Sequence, residues 1–248
     1  MTQTLASLSL AGVAGLALGS FAVTSGLRLS RGGSAMRGRS QCDTCGHRLG
    51  FAQTVPVVSY LRLSGACAAC RARIDPTHLA GEVAGAVVVV TALFAQDLTR
   101  SLLLIGLGLT LIAAVAVDWK VRRLPDLLTL ACAGFCASLA VLQSWQTMFE
   151  GMIAAALVIA ILMAVRWLAG RQSGEPGLGL GDVKLLAALA LWLGLATPWL
   201  IAGASLLGLL LMAISRPPDG RLAFGPAIAV SAWSIGIIGE AGGWPTTM

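Results

Sequence analysis

Residues 185–215 read LLAALALWLGLATPWLIAGASLLGLLLMAIS, thirty-one consecutive positions without a charged side chain. An apolar helix of about 20 residues crosses about 30 Å of hydrocarbon, so this run is long for one span and short for two. Gly194 to Pro198 offers a break near its middle. Whether the chain turns there decides the topology.

Working outward, residues 1–27, 101–117, 127–149 and 222–239 also lack any charged side chain. Of 248 residues 57% are hydrophobic and 11% charged, which excludes a water-soluble globular domain. The pattern predicts an all-α polytopic membrane protein with about eight helices, at 4–26, 79–96, 101–117, 127–144, 151–169, 183–198, 199–214 and 223–239. The first stretch has no basic leader and exceeds an ordinary signal-peptide core, so it is expected to stay as a helix.

The distribution of the 17 Lys and Arg residues decides the turn. Successive connections hold eight (28–77), one (97–100), three (118–126), none (145–150), three (166–184), none (196–199) and two (215–222). High and low values alternate only if 185–215 is a hairpin. The positive-inside rule then puts 28–77, 118–126, 166–184 and 215–222 in the cytosol and both chain ends outside it. The net charge of +6 reflects loops held at an anionic lipid surface, so lipid is an expected partner and nucleic acid is not.

Three parts follow: a first helix (1–27), a hydrophilic insert (28–77) and a helical membrane core (78–248). The insert carries Cys42-Asp43-Thr44-Cys45 and Cys67-Ala68-Ala69-Cys70. Two C-x2-C pairs at this spacing predict a zinc-ribbon-like site of four cysteine ligands. Their contexts repeat, since Cys42-x2-Cys45-x2-Arg48-Leu49 parallels Cys67-x2-Cys70-x2-Arg73-Ile74. So short a segment cannot build an adequate apolar core, and a closed thiolate site would supply folding free energy. Redox or disulfide cysteines are the competing reading, disfavoured by a cytosolic location. Cys132 and Cys136 read as packing residues, and His47 and His78 as ordinary loop residues.

Two acidic clusters sit at membrane boundaries, where charge is costly. Asp118 ends an uncharged span at a helix C-terminus, opposed to the negative end of the dipole. Pairing with Lys120, Arg122 or Arg123 would be the plain explanation of it. Asp126 follows Pro125 at a helix start and reads as a cap. Asp182 closes Gly179-Leu180-Gly181-Asp182, just before Lys184, and its glycines suit close backbone approach. A plain N-cap is the competing reading of Asp182. Two carboxylates close together in a dehydrated site share a proton, which is aspartic-protease chemistry.

At these residues the chain resembles the type IV prepilin peptidase family, polytopic aspartic proteases with a G-x-G-D motif. Gly179 to Asp182 matches that motif, and Asp118 to Asp126 reproduces the family's D-x7-D segment with Pro before the second Asp. The resemblance extends to Gly19-Ser20-Phe21, Arg28-Leu29, both cysteine pairs, Pro56 to Tyr60, Glu82 and Phe224-Gly225-Pro226. It implies Asp118 and Asp182 as the catalytic pair, with Gly179, Gly181, Lys184 and Asp126 in support. It further implies cleavage of the basic leader from prepilins or pseudopilins at the cytosolic face of a bacterial inner membrane, in pilus or secretion systems.

Relatives often methylate the new N-terminus with S-adenosylmethionine, for which Glu82 is the candidate residue here. Several positions depart from the family near that half: Val23 stands for Asn, Ser30 for Pro, and His78-Leu79-Ala80-Gly81 for Tyr-Pro-Leu-Val. Two other readings compete. One is a non-catalytic zinc-ribbon scaffold of a pilus or secretion apparatus. The other is a proton-coupled transporter, whose intramembrane acids and broken helices have some counterpart here.

Overall fold

The computed structural model describes residues 2–35, 38–95, 97–173, 178–216 and 222–242. Of the connections and spans named above, positions 36–37, 96, 174–177, 217–221 and 243–248 lie outside the described residues, Arg37 and Arg221 among them. The helices are α1 (Thr2–Ser30), α2 (Val58–Arg62), α3 (Pro76–Ala92), α4 (Leu98–Val121), α5 (Asp126–Gln143), α6 (Trp145–Ser173), α7 (Leu180–Leu193), α8 (Thr197–Ser215) and α9 (Gly225–Glu240). There is no strand among the described residues, only two isolated β-bridges within the insert. The fold is all-α and polytopic, with the small cysteine-bearing insert between its first two apolar helices, α1 and α3.

Every expected span has its helix, and α2 is a short extra one inside the insert. Among the described residues, five stretches are long and apolar enough to cross a membrane: within α1, α4, α5 and α6, and the α7–α8 run taken together. α3 has 17 residues and α9 has 16, about 25 Å each at 1.5 Å per residue. The connection expected at 145–150 is absent. α6 begins at Trp145, because Ser144 ends α5 and accepts the Thr147 N–H through its Oγ at 3.0 Å, satisfying one orphan donor of the next helix.

The 185–215 run does reverse. Gly194 closes α7 at φ +48°, one tight turn follows, and Pro198 falls in the first turn of α8. Leu186 of α7 and Ala204 of α8 wall one cavity of about 280 Å³. Eighteen residues of unbroken helix would separate those side chains by about 27 Å, so the two helices are antiparallel.

In lipid, helix association rests on close van der Waals fit more than on burial from water. α1 and α3 meet along glycines: Gly15 and Gly19 face Gly81 and Gly85, where any Cβ would run into the opposing backbone or side chains. The densest packing surrounds α4, where Leu104, Leu107 and Val117 are fully enclosed, together with Leu139 of α5, Leu189 of α7 and Ile228 of α9.

Three contacts tie described parts of the chain together at one end of the bundle. Lys120 pairs with Asp75, joining the insert to the α4–α5 connection. Lys184 Nζ meets Asp126 Oδ1 at 2.7 Å, joining α7 to that same connection. Gly225 donates to Asp118 at 2.8 Å, bringing the start of α9 to the end of α4.

Candidate active site and metal centre

Asp118 lies in the last turn of α4 and is 5% exposed. Its Oδ2 accepts the Gly225 N–H, so a backbone donor at the positive end of α9 faces a carboxylate at the negative end of α4. Only glycine allows this approach, since a Cβ at 225 would stand 2.7 Å from that oxygen. Asp182 occupies the first turn of α7, whose N-cap is Gly179. Asp182 is therefore not the cap. Its side chain folds back over Gly179, leaving 2.9 Å between Oδ2 and a hypothetical Cβ there. Gly181 performs a similar service against the α4–α5 connection, where a Cβ would stand 2.9 Å from Leu124 Cβ.

Asp118 lies near enough for its charge to act on Asp182. Arg122 contributes a positive field at Asp118. Lys120, an alternative partner for Asp118 on sequence, is engaged by Asp75 instead. Asp126 is not a cap either: Pro125 holds the N-cap position of α5, and Asp126 reaches outward to Lys184. Gly225 and Phe224 stood in a family motif but received no role from the sequence reading. A glycine at a helix start facing a buried acid becomes legible only once the helices are assembled.

The insert forms two matched knuckles. The Cys42 N–H donates to the His47 carbonyl at 2.9 Å and the Cys67 N–H to the Ala72 carbonyl at 2.8 Å. Gln41 bridges Arg48 as Ala66 bridges Arg73. Each knuckle turns through a left-handed residue, Gly46 at φ +69° and Arg71 at φ +61°.

The ligand atoms of Cys42, Cys45, Cys67 and Cys70 all lie within 4.8 Å of one another, with Cys42 and Cys70 sulfurs 3.9 Å apart. A tetrahedron with Zn–S bonds of about 2.3 Å has edges of about 3.8 Å, so the four sulfurs fit a zinc ion. Backbone N–H groups of Cys45 and Thr44 pull the Cys42 thiol down to about 6. The Ala72 N–H favours a Cys70 thiolate, but the sulfurs of Cys45, Cys67 and Cys42, with burial, push it up to about 11. Without a cation, four sulfurs this close cannot all carry charge.

Glu82 is 8% exposed in the second turn of α3. Its oxygens accept Ser20 Oγ at 3.0 Å and the Val57 N–H at 2.8 Å. Val57 sits at φ +61°, strained for a β-branched residue, and this bond holds it there. Glu82 borders a cavity of about 670 Å³ between α1, α3 and the insert, also lined by Ser20, Arg28, Tyr60, His78 and Lys120. Two departures from the family pattern fit each other at its edge, because Val23 fills the space a Cβ at Gly81 would need.

Residues 13–96 match the model of the bacterial peptidase A24 N-terminal domain, and residues 105–213 that of the type IV leader peptidase family. A prepilin leader peptidase/N-methyltransferase of Dichelobacter nodosus is 32% identical over 200 residues, covering 78% of this chain and 69% of that protein. The like-named protein of Neisseria gonorrhoeae is 35% identical over 214 residues, covering 83% and 73%. That of Pseudomonas putida is 30% identical over 201 residues, covering 78% and 70%. No solved structure matches. With both halves of the chain matched and the helical architecture in place, the chain belongs to the type IV leader peptidase family.

Proposed function

We propose that this protein is a membrane-embedded aspartic endopeptidase that removes the basic leader from prepilins or pseudopilins at the cytosolic face of a bacterial inner membrane. One observation supports the reading: Asp118 at the end of α4 and Asp182 at the start of α7, 64 residues apart in sequence, lie near enough for the charge of Asp118 to act on Asp182, where Gly225 admits the Asp118 carboxylate and Gly181 admits Leu124. Two such carboxyls hold one proton between them. The ionised member takes a proton from water as that water attacks the scissile carbonyl, and the protonated member donates to the carbonyl oxygen. Collapse of the tetrahedral intermediate returns a proton to the leaving amine. No covalent enzyme intermediate forms. Gly179, Gly181, Lys184 and Asp126 support the geometry.

The four cysteines hold zinc as a structural ion that folds the insert, remote from the hydrolytic step. Both chain ends lie on the periplasmic side, following the alternation of basic connections. A scaffold or a proton-coupled carrier would have no use for two acids from separate helices set near each other at one end of the bundle.

A second activity has its own observation, the cavity of about 670 Å³ beside Glu82. We infer that it takes S-adenosylmethionine, which supplies an electrophilic methyl group for the new N-terminal amine. With its oxygens engaged by Ser20 and Val57, Glu82 shapes this cavity instead of removing the amine's proton.

Reconstitution in lipid with a prepilin tests both activities, with and without S-adenosylmethionine, in water enriched in oxygen-18. The leader's new carboxylate should gain one heavy oxygen, and the mature product should gain a methyl mass only with the cofactor. Intact substrate would defeat the peptidase reading; an unmethylated product would defeat only the second activity.

A further inference from the structure

At the end of the bundle away from the two acids, three helices are joined by a buried polar cluster. Arg100, in the first turn of α4, donates from Nε to Glu240 Oε2 at 2.9 Å and from Nη2 to Oε1 at 2.8 Å. Trp192, near the end of α7, donates its Nε1–H to the same Oε1 at 3.0 Å. The Arg100 and Glu240 side chains are 9% and 8% exposed. Gly236 leaves room for the Trp192 ring where any Cβ would overlap it. Asp97 fixes the start of α4 by accepting the Arg100 N–H at 2.8 Å.

A buried ion pair contributes little net stability, because desolvation offsets its attraction. A buried charge pair at a membrane boundary is costly and points to a role beyond stability. The joined helices are the three whose opposite ends carry the site: α4 ends in Asp118, α7 begins with Asp182, and α9 begins with Gly225. Helices transmit a displacement along their axes, and a slip of one residue moves the far end by about 1.5 Å. A misplacement of about 1 Å costs up to about a hundredfold in rate.

We propose that Arg100, Glu240 and Trp192 form a depth clamp, a set of positioning residues that fixes how far α4, α7 and α9 stand along one another so that Asp118 and Asp182 share a proton. This rests on the aspartic-peptidase reading. The bidentate fork sets α4 against α9, and the indole sets α7 against both. Glu240 is the hub, since both partners donate to it.

The test uses the full-length protein in lipid with a prepilin-like membrane substrate, comparing Glu240→Gln and Trp192→Phe with wild type. Trp192→Phe keeps an aromatic side chain and the ion pair while removing the N–H and part of the indole's bulk, so it decides the matter if Glu240→Gln fails to insert. For a folded variant, kcat should fall about tenfold with KM within about twofold. The pH–rate profile should also move by at least about half a unit on one limb, because the coupling of the two acids has changed. A merely stabilising cluster would lower the melting temperature and leave the profile of the folded enzyme in place, and that result overturns the clamp. Asp118→Asn in the same assay separates the two ideas: full activity there would sink the peptidase reading itself, whereas a dead Asp118→Asn beside wild-type kinetics in both other variants sinks only the clamp.

Discussion

Asp118 Oδ2 accepts the backbone N–H of Gly225 across 107 positions of chain, at 2.8 Å. The contact sets the carboxylate's orientation and ties the end of α4 to the start of α9. It also explains why residue 225 has no side chain. In Gly225→Ala the added Cβ would stand 2.7 Å from that oxygen. The acid must then rotate or α9 must withdraw. Cleavage should fall about tenfold to a hundredfold with insertion intact, measured by product formation per folded enzyme. Unchanged kinetics would mean that this orientation is immaterial.

Asp126 and Lys184 form the other tie at this end, but in the open, with side chains 79% and 52% exposed. Exposed pairs contribute about 0–1 kcal/mol. Asp126→Asn and Lys184→Ala should therefore each slow cleavage less than about fivefold, and raised salt should narrow the difference from wild type. Complete inactivation by Asp126→Asn would move that residue into the reacting pair.

The four-sulfur cage makes a stoichiometric claim. Elemental analysis of purified protein should find one zinc per chain. Cys67→Ser removes the buried ligand of the set, and should empty the site and open residues 38–75 to proteolysis, since metal binding here is folding free energy. Four cysteines found in disulfides, with no zinc, would reverse the assignment.

The link between insert and core has a pH signature. Burial alone would raise the Asp75 carboxyl, but Lys120 and the Thr77 donors bring it down to about 2 from 3.8. A depressed folded-state value gives stability that is present above the ordinary carboxylate range and is lost as pH falls through the folded value. Asp75→Asn, which keeps the helix cap, should melt below wild type near neutral pH, and the gap should close as pH falls from about 4 to about 2. A gap constant across that range would exclude the Lys120 pair as its source.

Much of this was readable from residue order alone. The hairpin within 185–215 followed from counting basic residues, and Gly194 takes up the positive φ that the turn requires. The knuckles followed from the repeated spacing around the cysteines. Residue order did not reveal which glycine serves which acid, because Gly225 and Asp118 meet only after α4 and α9 are assembled. Nor did it reveal the partner of Lys120, which neighbours Asp118 in sequence yet pairs with Asp75 of the insert. Asp126 resembled a cap because Pro and Asp at a helix start usually form one, whereas here Lys184 from another helix claims it. Arg100 and Glu240 were invisible as a pair for the same reason, being 140 residues apart.

The central claim is that two acids, on α4 and α7, act as one proton-sharing unit. The direct measurement is the single-turnover cleavage rate of a lipid-reconstituted prepilin by Asp118→Asn, Asp182→Asn and the double variant, each at matched insertion and helicity. Each single change should abolish cleavage, by about a thousandfold or more, and the double should be no worse than either, as for residues that act as a unit. Substantial cleavage by either single variant, or losses that multiply in the double, would contradict it.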